Sequence, residues 1–166
     1  MNQINRVDKD WFGKNTYTVS IDEYDTVWEY ADYEFGITVA KGQVCVDVMD
    51  RKRWKRTPEK RNQVGSFVFR KSRYGNNTTW QVHEASLHTK HQGKGLAAII
   101  YKMLALNGYP VQSGSSMSIG AAKLWSRLAS EKKVEVLTYH KGHWNLLENI
   151  TPSDIYEENK LVLWRA

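Results

Sequence analysis

Apolar positions recur at intervals of two in the first half of the chain and at intervals of three and four in the second half. Ile37 and Val39 alternate with polar neighbours, and the alternation resumes after a Lys-Gly pair, which predicts a β-hairpin. Residues 64–71 and 78–87 are rich in apolar and aromatic positions and predict two further strands. The first half therefore indicates a meander of strands.

One helix is predicted ahead of these strands. Ser20-Ile-Asp-Glu23 has the form of a capping box, in which a serine and a glutamate three residues later satisfy free N–H groups at a helix start. The residues that follow at helical spacing are Ile21, Tyr24, Val27, Trp28 and Ala31.

Two helices are predicted in the second half. The first has an apolar stripe that begins at Leu96 and ends at Asn107-Gly108, a typical helix stop. Ser118 predicts the N-cap of the second, whose stripe is Ala121, Leu124, Trp125 and Leu128.

Short strands are predicted around these helices, at residues 109–113, 134–139 and 161–164. Residues 140–160 indicate a hairpin near Lys141-Gly142 and an irregular connection. The order is β-rich first and then β-α-β-α-β, which predicts an α/β protein with a mixed sheet flanked by helices.

Composition narrows the class of protein. A length of 166 residues suits one domain over 1–166, and 41% hydrophobic with 12% aromatic residues is typical of a folded chain. The single cysteine, Cys45, excludes a disulfide framework and a multi-cysteine zinc site. No apolar run is long enough to span a membrane and the first residues have no apolar signal core, so we expect a soluble, cytoplasmic protein without a membrane partner.

The formal charge of +6 is unevenly distributed. Residues 85–130 contain no Asp or Glu, which favours an anionic ligand against that region. Residues 50–62 contain Pro58 and no periodicity, which predicts a loop. Two interpretations of this loop stay open: a mobile solvated segment, or a guide for an acidic surface or RNA, with Trp54 available to stack on a base. Its basic residues at 51–61 are Arg51, Lys52, Arg53, Lys55, Arg56, Lys60 and Arg61.

The segment Gln92-Gly-Lys-Gly-Leu-Ala97 carries the strongest chemical signal. It follows a predicted strand and opens a predicted helix, so its glycines and the helix N-terminus can direct N–H groups at a phosphate or pyrophosphate. The Walker A pattern fails, because His88 stands where its first glycine is needed and Gly95 where its Ser or Thr is needed. The dinucleotide-binding fingerprint also requires an acidic residue about 20 positions further along the chain, which this sequence lacks. The interpretation of the segment as a glycine turn that binds no ligand stays open.

This segment resembles the Q/R-x-x-G-x-G/A signature of the GNAT acetyltransferase superfamily, and the segment from Ser118 to Leu128 resembles the family's second signature. The resemblance spans residues 64–139. It implies a central mixed, mostly antiparallel sheet flanked by helices, and acetyl-CoA as cosubstrate without a metal. The implied acetyl-CoA-binding residues are Leu87, His88, Thr89, Gln92, Gly93, Lys94, Gly95, Leu96, Ala97, Ser118 and Lys123.

Trp125 stands where the family's tyrosine serves as proton donor. An indole N–H donates a hydrogen bond but supplies no proton near neutral pH, and packing on the apolar stripe is the simpler role.

The implied reaction is direct attack of a primary amine on a thioester. The oxyanion donor is expected among the backbone N–H groups of 87–89, and the base is expected to be Glu84 or His83. Because side chains alternate along a strand, Glu84 and His83 are expected on opposite faces, and a bulge would exchange those faces. A purely structural role stays open for each side chain. His88 and His91 lack a third ligand for a metal.

The expected function is therefore an acetyl-CoA-dependent N-acetyltransferase whose acceptor is a protein, a small molecule or an aminoacyl-RNA. The alternative is a catalytically silent module of the same fold that binds CoA, or nucleic acid through its basic loop.

Overall fold

The computed structural model describes residues 5–7, 17–157 and 160–166. These residues form eleven strands and three α-helices. The strands are β1 (Asn5–Val7), β2 (Tyr17–Ser20), β3 (Thr26–Tyr30), β4 (Tyr33–Ala40), β5 (Gln43–Asp50), β6 (Lys60–Tyr74), β7 (Asn77–His88), β8 (Val111–Gln112), β9 (Val134–His140), β10 (His143–Leu147) and β11 (Val162–Arg165). The helices are α1 (Leu96–Leu106), α2 (Ile119–Ala129) and α3 (Pro152–Glu157).

The strands of the described residues lie in one sheet with the order β10-β9-β11-β8-β7-β6-β5-β4-β3, while β1 pairs with β7 and β2 pairs with β6. Neighbours are antiparallel except for two parallel pairs, β7 with β8 and β1 with β7. The predicted α/β class, with a mixed and mostly antiparallel sheet flanked by helices, is confirmed.

The two longer helices meet the sheet around one buried ring. Tyr101 of α1 packs against Phe67 and Phe69 of β6, with centroids 6.3 and 5.6 Å away, and Trp125 of α2 lies 6.0 Å from the same ring. Each such aromatic side chain buries a large apolar area, so this cluster contributes to the packing between helices and sheet. In the part of the chain that the structure describes, no helix is long and apolar enough to cross a membrane.

The edge of β7 opposite β6 is paired by two different strands. β7 pairs with β8 only through Trp80 and Gln81, and after these residues β8 ends. Beyond this point β7 continues beside β6, and at residues 86–88 its other edge pairs with β1. Because β4 to β7 are successive antiparallel neighbours, the start of β4 and the ends of β5 and β7 lie at one end of the sheet. The connections 51–59 and 89–95 therefore leave the sheet at the same end.

The helix predicted from the capping box is wrong. Residues Ile21–Glu23 form one 3₁₀ turn, Ser20 makes no side-chain capping bond, and Val27 and Trp28 of the predicted stripe belong to β3. β3 pairs with β4, and the Tyr24 ring covers Gly36, where a Cβ atom would stand 2.6 Å away. Pairing of β-branched and aromatic residues with a neighbouring strand overrides the local helical spacing.

The predicted loop at 50–62 is too long, because β6 begins at Lys60 and the strand-free connection is 51–59. Residues 140–160 form the predicted hairpin, between β9 and β10, and also a helix, α3, that was not predicted. Its signal is Thr151-Pro-Ser-Asp154: Asp154 accepts from the backbone and hydroxyl of Thr151, and Pro152 suits the first helical position.

Candidate functional site

The glycine loop, residues 92–95, turns through two positions that other residues rarely adopt. Gly93 has φ of 75° and Gly95 has φ of 74°, both in the left-handed region. A side chain at either position costs about 1–2 kcal/mol, so the loop needs glycine at both. Gly95 is the N-cap of α1, and the predicted start and stop of this helix are confirmed.

The start of α1 presents free backbone N–H groups. Ile99 donates to the carbonyl of Gly95, so the N–H groups of the three residues before it have no partner within the helix. The positive end of the helix dipole adds to them. The arrangement favours an anion at this point.

A cleft of about 270 Å³ lies between this helix start and α2. The glycine loop and Leu87 form one side, and Gly120, Lys123, Leu124 and Arg127 of α2 form the other. Both cations of α2 therefore face the free N–H groups. Predicted residues that line the cleft are Leu87, Gly93, Gly95, Leu96, Ala97 and Lys123.

Arg127 is a cation that the sequence analysis did not assign to the site. Its guanidinium lies so close to Gly95 that a Cβ there would stand 2.6 Å from Nη1. The signal was present, because Lys123 and Arg127 are four residues apart and share one face of a helix.

Other predicted residues hold the loop in place. The Gln92 side chain donates from Nε2 to the carbonyl of Leu87 at 2.9 Å, which ties the loop to β7. His88 accepts the N–H of Lys90 on Nδ1 at 3.3 Å, and Thr89 accepts the N–H of Gln92 at 3.3 Å. These residues shape the connection between β7 and the glycine loop, and none of the three lines the cleft. Lys94 lines a different cleft.

Ser118 caps α2 as predicted, because its Oγ accepts the N–H of Ala121 at 3.1 Å. It does not line the cleft itself. Trp125 on the same helix is completely buried, and its Nε1 has no hydrogen-bond acceptor among the described residues. The ring therefore fills the core, and it does not border the cleft.

The predicted oxyanion segment, residues 87–89, begins at the end of β7. There β1 pairs in parallel, with Asn5 opposite Ser86, Arg6 opposite Leu87 and Val7 opposite His88. The backbone edge that a thioester would need is thus shared with β1.

His83 and Glu84 lie at a β-bulge. Val68 pairs with Glu84 and Phe69 pairs with Val82, so His83 has no partner in the register. Val82 and Ala85 are both buried opposite core phenylalanines, which places His83 and Glu84 together on the face away from α1. Strict alternation, which predicted opposite faces, is wrong here. His83 is exposed and Glu84 is half-buried.

The same face carries a carboxylate that sequence reasoning missed. Asp47 accepts hydrogen bonds from Tyr24 at 2.7 Å, Gln63 at 2.9 Å and Ser66 at 3.3 Å. Burial raises its pKa, although the Tyr24 and Ser66 bonds lower it. Burial, followed by the charges of Asp47 and Glu84, also raises the pKa of Cys45. The face away from α1 thus collects negative charge near the bulge.

Some basic residues at 51–61 form ion pairs with carboxylates, and others are exposed to solvent. Arg61 is buried and donates to Glu34 at 2.6 Å, so it belongs to the structure of β6 rather than to a free surface. Arg51 pairs with Glu29 at 3.3 Å. Exposed side chains between them include Lys52, Arg53, Lys55 and Arg56, together with Trp54, whose Nε1 donates to Asn62 at 3.0 Å.

The described residues contain no group of three or more His, Cys, Asp and Glu side chains that could hold a metal ion.

Comparisons with known proteins give limited similarity. No family model matches the sequence, and no curated protein matches it. Among solved structures, a KacTA-DNA complex has a TM-score of 0.41 and 11% identity, over 72% of this chain and 76% of that one. AtaTR bound with AcCoA has a TM-score of 0.37 and 13% identity, over 69% and 73%. Similarity at this level assigns no function to the chain.

Proposed function

We propose that this protein is an acetyl-CoA-dependent N-acetyltransferase that moves an acetyl group to a primary amine by direct attack on the thioester. One observation carries the proposal. The glycine loop, the start of α1 and two α2 cations, Lys123 and Arg127, converge on one cleft beside Leu87, near the end of β7. Converging N–H groups and cations suit a pyrophosphate.

The residues of the chain fit such a cosubstrate. Gly93 has open space where a Cβ would be, which lets a phosphate approach the backbone closely. Lys123 and Arg127 supply charge-assisted hydrogen bonds, which are stronger than neutral ones. Acetyl-CoA supplies the activated acetyl group, and the chain supplies the position and the fixed dipoles.

The bulge on β7 gives the proposal its candidate bases. Glu84 and His83 share a face, so either side chain can receive a proton from an incoming ammonium group. Glu84 is the better candidate, because it is half-buried and faces the same region as Asp47, whose negative charge favours a cationic amine. Accumulated negative charge on this face thus suits the acceptor that the reaction requires.

The test is a transfer assay with the full chain. Acetyl-CoA labelled in the acetyl group is incubated with a lysine peptide, spermidine and an aminoacylated RNA, while free thiol and labelled acceptor are measured. We expect at least one acceptor to become labelled, in an amount equal to the free thiol that is released. Glu84→Gln should lower turnover at unchanged acetyl-CoA affinity, and His83→Gln serves as the neighbouring control. Absence of acetyl-CoA binding would overturn the proposal.

A second candidate is a catalytically silent module of the same fold that binds CoA or nucleic acid. Two observations favour it: β1 pairs with β7 along 86–88, and Trp125 is buried where the family has its proton donor. Acetyl-CoA binding without transfer to any of the three acceptors would support this candidate. Hydrogen exchange separates the cases further, because productive binding must change the protection of the backbone N–H groups at 86–88.

A further inference from the structure

A second cleft also borders the glycine loop. It has a volume of about 500 Å³ and lies among the turn between β3 and β4, the end of β5 and the residues that lead into α1. Lys52, the second residue after β5, and Lys94 of the glycine loop both line it. The cleft therefore joins the basic segment to the glycine loop at the shared end of the sheet.

The two lysines are available to a ligand. The Lys94 ammonium lies 5.6 Å above the Tyr33 ring, which fixes its direction without neutralising its charge. Among the described residues, neither Lys52 nor Lys94 forms an ion pair. Arg51 in the same cleft is occupied, because it pairs with Glu29 and donates to the carbonyl of Ala31 at 2.9 Å. Both free ammonium groups thus face the cleft from different segments.

The pKa of His91 depends on the charges around this cleft. Its Nδ1 lies 2.8 Å from the hydroxyl of Tyr33, which holds the ring against the wall. Burial lowers the pKa of His91, the charges of Lys94, His88 and Lys90 lower it further, and Asp50 opposes them. An anion beside Lys94 would offset these cations and raise the pKa of His91.

Two carboxylates complete the wall and restrict the ligand. Asp32 and Asp50 line the cleft, and Asp50 Oδ1 accepts the backbone N–H of Lys52 at 3.0 Å. An ionised carboxylate only accepts hydrogen bonds, so these groups favour a ligand with hydroxyl or amino donors beside its anion. A bare anion would meet repulsion from both.

We infer that this cleft binds a ribose phosphate, with Lys52 and Lys94 on the phosphate and with Asp32 and Asp50 accepting hydrogen bonds from hydroxyl groups. Two sources offer this chemistry: the 3′-phosphorylated ribose of CoA, and a nucleotide of an RNA. The CoA source rests on the proposed function, whereas the RNA source does not.

The experiment measures affinities for three probes: CoA, 3′-dephospho-CoA and a five-nucleotide uridine RNA. Calorimetry uses the full chain, Lys52→Ala and, as matched control, Lys55→Ala, an exposed lysine of the same segment that does not line the cleft. NMR follows the titration of the His91 ring with and without each probe.

If CoA is the source, removal of its 3′-phosphate should weaken binding about tenfold, and Lys52→Ala should reduce that difference, because Lys94 alone would then contact the phosphate. If RNA is the source, CoA and 3′-dephospho-CoA bind equally, and Lys52→Ala weakens RNA binding about tenfold. In either case the bound probe raises the pKa of His91 and Lys55→Ala has a smaller effect.

The inference is overturned if both lysine variants behave alike with every probe and the pKa of His91 stays constant. CoA binding with that result would leave the proposed function intact. RNA binding that depends on Lys52, in a chain that binds no CoA, would instead support the cleft and contradict the proposed function.

Discussion

The guanidinium of Arg127 occupies the space beside Gly95, where a Cβ atom would stand 2.6 Å from Nη1. Gly93 has nearly the same backbone φ, but a Cβ there would meet no atom within 4 Å. The two glycines thus share a conformation and differ in their surroundings. The difference places Arg127 against the glycine loop, where a phosphate would bind.

Arg127→Ala should lower the affinity for acetyl-CoA about tenfold, because a charge-assisted hydrogen bond to phosphate is lost. Gly95→Ala should also lower it, since the new methyl group pushes the guanidinium away. The double variant should then lose less than the sum of the two single losses. Gly93→Ala combined with Arg127→Ala is the control, for which the losses should add. Calorimetric titration of the wild type, the three single variants and the two double variants gives both cycles, and additivity at Gly95 and Arg127 would contradict the contact.

Trp125 should matter for stability and not for proton transfer. Its side chain is completely buried, so Trp125→Ala should cost about 3–5 kcal/mol in free energy of unfolding. Trp125→Phe keeps most of the packing and removes only an N–H without an acceptor, so the loss should be smaller. Denaturant unfolding checks both. A loss of turnover in Trp125→Phe, at full folding and unchanged acetyl-CoA affinity, would show that the indole N–H is catalytic.

Two arginines of the basic segment should differ sharply in stability. The Arg61 and Glu34 side chains are only 5% and 7% exposed, and removing one partner of such a pair costs about 3–5 kcal/mol. The Arg51 and Glu29 side chains are 46% and 64% exposed, so Arg51→Ala should cost less than about 1 kcal/mol. Urea unfolding of Arg61→Met and Arg51→Ala measures both, and equal losses would refute the distinction.

Stability should fall in mild acid through His91. Its folded pKa lies below the ordinary value of 6.5, chiefly because of burial. Between the folded pKa and 6.5 the unfolded chain binds more protons, so the free energy of unfolding decreases as the pH drops below 6.5.

Denaturant unfolding of the wild type and of His91→Gln at several pH values measures how the free energy of unfolding changes with pH. The change with pH should be smaller in His91→Gln. The exposed His143 provides the control, and an equal flattening in His143→Gln would argue against the assignment to His91.

The glycine loop and its two helices were predictable because their signals are local. Glycines at two alternate positions, the stop at Asn107 and the serine cap at Ser118 each act within a few residues. The cleft residue Arg127 was also accessible, since it follows Lys123 by one helical turn.

The remaining features depend on partners distant in the sequence. The hydrogen bond of His91 to Tyr33 and the ion pair of Arg61 with Glu34 require β4 to lie near the end of β7 and beside β5. The bulge at His83 follows from the register between β6 and β7. Local spacing contains no information about these pairings, and for the same reason the helical spacing predicts a helix where β3 forms.

The central claim is that acetyl-CoA binds at the glycine loop, and an NMR titration of the ¹⁵N-labelled full chain tests it most directly. We predict that acetyl-CoA shifts the backbone N–H signals of 92–98 and the side-chain Nε signal of Arg127, with saturation at one equivalent. A titration in which these signals stay in place, or in which only residues 51–56 respond, would contradict it.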